Sequence, residues 1–117
     1  MQPTLTVAYF SDVLCVWAYA AQIKLDELRR QFGDQIHVEY RFLHLFGDVA
    51  ARIETDWGDK GGATGYSRHV QQMAARFDHI DIHPEIWTRN TPPTSMSCHL
   101  FLKAIQLLEK QEEISAT

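Results

Sequence analysis

The chain has 117 residues, of which 45% are hydrophobic and 22% charged, and its formal net charge is -4. This length allows one domain, and the composition is typical of a folded protein rather than a disordered one. The acidic balance argues against a nucleic-acid partner, and the apolar runs are too short to cross a bilayer, so we expect no membrane partner either.

The first third of the chain predicts a βαβ unit. Residues 5–10 are β-branched and aromatic, which is typical of an inner strand. Residues 16–32 have the spacing of an amphipathic helix and are followed by Gly33, a suitable C-cap. Residues 36–43 alternate between apolar and polar side chains and predict a second strand, parallel to the first. The predicted buried stripe of the helix comprises Trp17, Ala21, Leu25, Leu28 and Phe32.

The rest of the chain predicts helices and loops. Residues 47–65 hold five of the six glycines and predict a short helical turn at 48–56 followed by a loop. A second helix is predicted at 65–78 and an irregular, proline-containing segment at 79–93. A third helix begins near Thr94 or Ser95, either of which can be its N-cap. Its predicted apolar face comprises Leu100, Phe101, Ala104, Ile105, Leu107 and Leu108.

Two strands are too few for a stable parallel sheet, which normally has neighbouring strands and cover on both faces. We therefore expect either that the chain forms a homo-oligomer through its unpaired strand edge, or that it is the front portion of something longer.

Cysteine use and the N-terminus both bear on the compartment. Cys15 and Cys98 are too few for a disulfide scaffold, and the N-terminus lacks the basic segment of a secretory signal. We therefore expect a cytoplasmic protein with free thiols.

The turn between the first strand and the first helix has the most chemical content. Ligands of open α/β sheets bind at such junctions. Cys15 lies on the first turn of the helix, where unpaired amides and the helix dipole favour a thiolate, the nucleophilic form of cysteine. Asp12 opposes this effect if its charge is close. The alternative is that Cys15 is a small buried hydrophobic residue.

Residues 9–19, Tyr-Phe-Ser-Asp-Val-Leu-Cys-Val-Trp-Ala-Tyr, resemble the active-site turn of the DsbA-like branch of the thioredoxin superfamily. In that family the turn is usually an aspartate, two hydrophobic residues and Cys-Pro-Trp-Cys. The branch includes FrnE-type oxidoreductases, 2-hydroxychromene-2-carboxylate isomerases and kappa-class glutathione transferases. Residues 44–46 resemble the exit of the family's second strand. Further segments are similar to its inserted helical domain: residues 62–66, 76–77, 87 and 99–104.

The resemblance covers residues 5 to about 110 and implies an α/β fold. Residues 1–46 would be the N-terminal βαβ part of a thioredoxin-like domain, and residues 47–117 a helical insert domain. On this resemblance we expect the C-terminal thioredoxin half to be missing. No proline follows the insert, so the family's cis-proline loop beside the active site has no counterpart in this sequence.

The resemblance implies a thiol-disulfide oxidoreductase in which Cys15 is the nucleophile and Trp17 and Asp12 are further catalytic residues. Ala18 stands where the family has its resolving cysteine, and Val16 replaces the usual proline. Without a resolving thiol, the implied chemistry is a mixed disulfide that an outside thiol such as glutathione must clear. The expected partners are protein or small-molecule thiols and disulfides, with no permanently bound cofactor.

Two other functions stay open. The chain could be a glutathione-dependent isomerase or transferase of the same superfamily, with Ser11 and Cys15 contacting glutathione. It could also be a catalytically inactive truncated domain that acts by association, because unpaired strand edges and exposed helical faces bind other chains.

Histidines and the second cysteine give weaker signals. His79 and His83 have helical spacing, but Pro84 follows immediately, and a zinc site needs three or four converging ligands. We therefore expect solvated loop histidines and no metal site. Cys98 is expected to serve packing, with a role as the resolving thiol for Cys15 as the alternative.

Overall fold

The computed structural model describes residues 5–111 of the chain. Within that range the protein is a mixed α/β structure with a two-stranded parallel sheet and four α-helices. The outer ends of the two predicted parts, residues 1–4 and 112–117, lie outside the described residues. The elements in chain order are β1 Leu5–Ser11, α1 Val16–Phe32, a short 3-10 turn Gly33–Gln35, β2 Ile36–Phe42, α2 Val49–Trp57, α3 Gly62–Ala74 and α4 Met96–Lys110.

The parallel βαβ unit predicted from the sequence is confirmed. β1 and β2 pair in register from Leu5 opposite Ile36 to Ser11 opposite Phe42. The helix bounds are those predicted, and each strand ends within one residue of its prediction. Gly33 has a φ of 49° and its amide donates to the Arg29 carbonyl, so it is the predicted glycine C-cap.

Of the predicted buried stripe of α1, Leu25 is buried and Ala21 partly buried, but the prediction is wrong for Trp17, Leu28 and Phe32, which are exposed. The helix buries Val16, Ala20 and Leu25, whereas Trp17 is 51% exposed and Phe32 is 44% exposed. Two neighbouring stripes of this helix are apolar, and its packing selects the one that contains Val16. That residue contacts the core built by α2 and α3, while Ala20 packs in a second small cluster with Ala74 and Ile80.

The main core lies between α1, α2, α3 and the loop that precedes α4. It consists of buried side chains from all of these segments: Val16, Phe46, Val49, Ile53, Val70, Met73 and Trp87. The predicted helical turn at 48–56 is α2, and the Asp48 carboxylate caps it by accepting the Ala51 amide at 3.1 Å. The irregular 79–93 segment supplies Trp87, so it is part of the core rather than a surface loop.

The second predicted helix begins earlier and ends earlier than the sequence indicated. α3 starts at Gly62 because Gly61, with a φ of 96°, turns the chain directly into the helix. Gly65 lies inside α3, and a β-carbon there would approach the Lys60 carbonyl oxygen to 2.0 Å. Glycine at position 65 therefore permits a close approach of two backbone segments. The loop predicted for the glycine-rich residues ends before Gly65, because α3 has already begun at Gly62.

The third predicted helix, α4, starts at Met96 with Ser95 at the N-cap position. Its predicted apolar face is not buried in this chain, because Leu100 is 63% and Phe101 66% exposed. The fully buried residue of α4 is His99, which faces the end of β1. Among residues 5–111, no helix has the length and apolar character needed to span a bilayer.

Candidate functional site at the carboxyl end of β1

Asp12, the first residue after β1, is a fully buried carboxylate with 0% exposure. Its Oδ1 accepts the Leu14 amide at 2.8 Å, and its Oδ2 accepts the Phe46 amide at 2.9 Å. The Ser95 hydroxyl also donates to Oδ2, at 2.7 Å. Hydrogen bonds to the charged oxygens offset the cost of taking the carboxylate out of water. Asp12 therefore joins the β1–α1 turn, the chain after β2 and the start of α4.

Ser95 uses its side chain for Asp12 and not for its own helix. Its hydroxyl makes no capping hydrogen bond to α4, and the Thr94 hydroxyl instead accepts the Met96 amide at 3.1 Å. The Ser95 amide donates to the Phe46 carbonyl at 3.0 Å. Thus both serine and threonine, the two predicted N-cap candidates, contribute to this helix start in different ways.

His99 lies one helical turn after Ser95 and is 2% exposed. Its Nε2 accepts the Val13 amide at 3.1 Å, and its ring stacks on Phe42 at a centroid distance of 4.8 Å. Its Nδ1 is 3.0 Å from Nδ1 of His44. Since a nitrogen that accepts an amide hydrogen carries no proton, neutral His99 is protonated on Nδ1 and donates to His44.

The protonation of His99 is set by its surroundings. Burial lowers the pKa of His99, the nearby Asp12 carboxylate partly opposes this, and His44 lowers it further. Nε2 of His99 is 3.6 Å from Oδ1 of Asp12, so the two side chains form an ion pair when the imidazole is protonated. The neutral ring is therefore the form that matches the hydrogen bonds in this structure.

Cys15 occupies the N-cap position of α1 with an extended backbone. Its amide donates to the Asp12 carbonyl at 3.0 Å, and its carbonyl accepts the Ala18 and Tyr19 amides at 3.1 and 3.2 Å. The side chain is half-buried, makes no capping hydrogen bond and contacts the main core. Burial, with a smaller contribution from Cys15, raises the pKa of Tyr66 to about 12.

A small cavity of about 200 Å³ opens beside Cys15. Its walls come from the β1–α1 turn, α1, α3 and the loop before α4. Most of the lining side chains are apolar: Val13, Leu14, Val16, Val70, Ile82, Ile86 and Trp87. The ionisable lining side chains are those of Cys15, Tyr19, Asp81 and His83. No lysine or arginine lines this cavity.

The other predicted site residues lie apart from Cys15. Trp17 is exposed on α1. Ser11 lines a different cavity, of about 480 Å³, between α1, the sheet and α4, so the two residues expected to contact glutathione open onto separate cavities. Asp12 shares the turn with Cys15, but its carboxylate bonds to Leu14, Phe46 and Ser95.

The surroundings of Cys98 and His79 differ from those predicted, whereas His83 is exposed as predicted. Cys98 is exposed, so the expectation that it serves packing is wrong, and both cysteines are free thiols. Nε2 of His79 is 3.1 Å from the Ala20 carbonyl, whereas His83 is exposed. In the described part of the chain, no group of three or more His, Cys, Asp or Glu side chains is arranged to hold a metal ion.

Sequence reasoning missed the buried network that connects Asp12, Ser95, His99 and His44. The sequence predicts Ser95 as an N-cap candidate and assigns no separate role to His99, which falls in the segment 99–104. A usable signal was present, since positions 95 and 99 are four residues apart and lie on one face of a helix. Their partner, however, is a carboxylate 83 positions earlier in the chain, which no local pattern predicts.

The turn that contains Cys15 carries the resemblance to the DsbA-like branch of the thioredoxin superfamily. That resemblance is a hypothesis that rests on residues 9–19 and the segments that follow them. No protein-family model, curated protein or solved structure matches the chain.

Proposed function

We propose that the chain is a DsbA-like thiol-disulfide exchange protein that uses Cys15 as its single nucleophile. The observation that carries this proposal is the position of the Cys15 thiol, at the N-cap of α1 and the carboxyl end of β1. At this helix start the Ala18 amide donates to the Cys15 carbonyl, which leaves the amides of Val16 and Trp17, and with the helix dipole they stabilise an anion at this end. Residues 1–46 would then be the start of a thioredoxin-like domain and residues 47–117 its helical insert.

The chemistry is exchange between sulfur atoms. The Cys15 thiolate attacks one sulfur of a disulfide, the disulfide bond breaks, and the other sulfur leaves as a thiolate. An outside thiolate, such as that of glutathione, then attacks the substrate sulfur of the mixed disulfide. Cys15 leaves as the thiolate, and a new disulfide forms. One disulfide is consumed and one is made, so no further oxidant or reductant is needed.

Ala18 limits the protein to this monothiol route. It lies one helical turn beyond Cys15, where a cysteine would attack the mixed disulfide from within the chain. A methyl group cannot do so. Release therefore depends on a thiol from solution, and the partial exposure of Cys15 leaves a path for it.

Asp12 contributes by holding the turn rather than by touching a substrate. Its carboxylate fixes the Leu14 amide, and its carbonyl accepts the amide of Cys15. Both contacts restrict the backbone that presents the thiol. We therefore assign Asp12 a positioning role in the proposed reaction, and Trp17, on the exposed side of α1, has no contact that favours a catalytic role over a surface one.

Association with a second copy is a second candidate function, favoured by exposed apolar side chains on the sheet and on α4. Leu5 and Phe10 of β1 are 59% and 57% exposed, and each strand has one edge without a strand partner within residues 5–111. Such edges pair readily with strands of other chains. By contrast, the separation of Ser11 from the Cys15 cavity disfavours the glutathione-dependent isomerase or transferase.

The two cysteines provide an internal comparison that tests the exchange function. Cys15→Ser leaves the exposed Cys98 as the single thiol, and Cys98→Ser leaves the half-buried Cys15. We expect Cys15 to react faster than Cys98 with iodoacetamide and with oxidised glutathione, although it is the less exposed thiol. Mass spectrometry should locate the glutathione adduct on Cys15 and show its removal by added dithiothreitol. Equal or faster reaction of Cys98 would contradict the proposal.

A further inference from the structure

The contact between His44 and His99 restricts where protons can be placed. The pair has three positions for hydrogen: Nε2 of His44, the line between the two Nδ1 atoms, and Nε2 of His99. Since the Nδ1 atoms are 3.0 Å apart, the line between them holds one hydrogen. Two hydrogens satisfy the neutral pair, and Nε2 of His99 is the position left as the acceptor for the Val13 amide.

If the contact between the two rings is kept, one ring nitrogen remains that can bind a third proton. It binds Nε2 of His99, which then becomes a donor and no longer accepts the Val13 amide. Oδ1 of Asp12 is 3.6 Å from that nitrogen and is the acceptor available to it. Protonation therefore exchanges a bond to the backbone of Val13 for an ion pair with Asp12.

We propose that His99 is a positioning residue for the turn that carries Cys15, and that proton uptake at its Nε2 releases this turn. Val13 lies two residues before Cys15, and Asp12 holds both the Leu14 amide and the Cys15 amide. A change at Val13 and Asp12 is thus transmitted over one turn of backbone to the thiol. The regulatory part of this inference rests on the proposed function of Cys15, whereas the positioning role does not.

Charged groups from each neighbouring element face the pair. Asp12 in the β1–α1 turn favours the proton. Arg41 of β2 and Lys103 of α4 line a cavity of about 350 Å³ beside the two imidazoles and oppose it, although Arg41 is paired with Glu39 at 3.0 Å. His44 is exposed and connects the buried ring to solvent. Because burial lowers the pKa of His99 from its ordinary value of 6.5, the transition lies on the acid side of that value.

Nuclear magnetic resonance of the whole chain tests the switch directly. The Val13 amide resonance and the His99 imidazole nitrogens are followed between about pH 8 and pH 5, the range in which histidines titrate. We expect both to change with one common midpoint below pH 6.5. As the pH rises through the same midpoint and the turn is held again, the ratio of the Cys15 to the Cys98 alkylation rate should increase. We expect an increase of about fivefold, which corresponds to one hydrogen bond. The same ratio in His99→Gln, where position 99 takes up no proton in this range, corrects for the titration of the two thiols themselves.

Two variants separate the hydrogen bond from the packing of the ring. His99→Gln offers the Val13 amide an acceptor that does not take up a proton in this range, so the amide should stay bound at every pH. His99→Phe keeps the stacking on Phe42 but has no acceptor, so the amide should be in its released state at every pH. His37→Gln, at an exposed position on β2, is the control and should titrate at Val13 as the unmodified chain does.

Each outcome decides one part of the inference. A Val13 amide that does not move while His99 titrates overturns the positioning role, as does an unchanged Val13 amide in His99→Phe. If a variant does not fold, the titration of the unmodified chain alone gives this answer. A Val13 amide that follows His99 while the alkylation ratio stays constant overturns the regulatory part. Slow alkylation of Cys15 at every pH, with Val13 still following His99, supports the positioning role and rejects the proposed function instead.

Discussion

The Ser95 hydroxyl donates to Oδ2 of Asp12 at 2.7 Å, across 83 positions of sequence and between two almost fully buried side chains. This bond attaches the start of α4 to the carboxyl end of β1. It also explains why a charged residue can be buried at this point, because Asp12 has hydrogen-bond donors on both of its oxygens. The βαβ unit and the following helices are thereby joined at the turn that presents Cys15.

Replacement of Asp12 by Asn should destabilise the fold strongly. The amide group of Asn can accept hydrogen bonds on one side only, so it faces at least one of the three donors with a donor of its own. We expect a loss of about 2–4 kcal/mol in the free energy of unfolding, measured by urea denaturation. The control is Asp26→Asn, which removes an exposed ion pair with Arg29 and should change stability by less than about 1 kcal/mol. Equal effects of the two substitutions would contradict the role assigned to Asp12.

Replacement of Ser95 by Ala tests one bond of the same network. The hydroxyl that donates to the buried carboxylate is lost, and the loss of a hydrogen bond to a charged group is worth about 1.5–3 kcal/mol. Ser97→Ala is the matched control, since Ser97 is exposed on the first turn of the same helix and should be nearly neutral. Thermal unfolding followed by circular dichroism compares the two. A Ser95→Ala protein as stable as Ser97→Ala would show that the bond to Asp12 contributes little.

Stability should decrease in mild acid through His99. Burial lowers the pKa of His99 in the folded chain, so the unfolded chain takes up this proton at the higher pH. Because the unfolded state then binds more protons, the contribution is complete above about pH 6.5 and is lost as the pH falls through that value toward the folded pKa. Urea midpoints at a series of pH values measure this slope. It should flatten in His99→Gln and persist in His37→Gln; the same slope in both variants would assign it to other groups.

A cysteine at position 18 should restore a resolving thiol. In Ala18→Cys, the new thiol lies one helical turn from Cys15, the arrangement in which a mixed disulfide is released from within the chain. The glutathione adduct on Cys15 should persist in the unmodified protein when no thiol is added and disappear in Ala18→Cys. Ala21→Cys, a further turn along α1, places a thiol out of reach and should behave as the unmodified protein. Mass spectrometry over time distinguishes them, and a persistent adduct in Ala18→Cys would argue against the proposed chemistry.

A charge on β1 should weaken association between copies. Phe10 is exposed on a strand with an unpaired edge, and lysine at such a position opposes pairing with a second chain. We expect light scattering to show a concentration-dependent dimer for the unmodified chain and a monomer for Phe10→Lys. Ile23→Lys, on the exposed side of α1, should leave the dimer unchanged. A monomer at all concentrations in the unmodified protein would reject this second candidate function.

The sequence by itself determined the local elements around the site. Strand alternation, the 16–32 helical spacing and the Gly33 cap depend on residues that are neighbours in the chain, and the predicted bounds agree with the structure. The position of Cys15 at the start of α1 follows from the same local signals. The specific assignment to a thioredoxin-like domain stays a prediction, because it depends on resemblance in addition to these elements.

Only the tertiary structure decided which groups meet at that turn. The packing of α1 against the core buries Val16 and Ala20 and leaves Trp17 exposed to solvent, although both stripes of the helix are apolar. Likewise, the approach of α4 brought Ser95 and His99 onto Asp12 and left Cys98 exposed one residue away. Hydrogen bonds between residues far apart in the chain depend on how whole elements pack, and helical or strand periodicity carries no information about that choice.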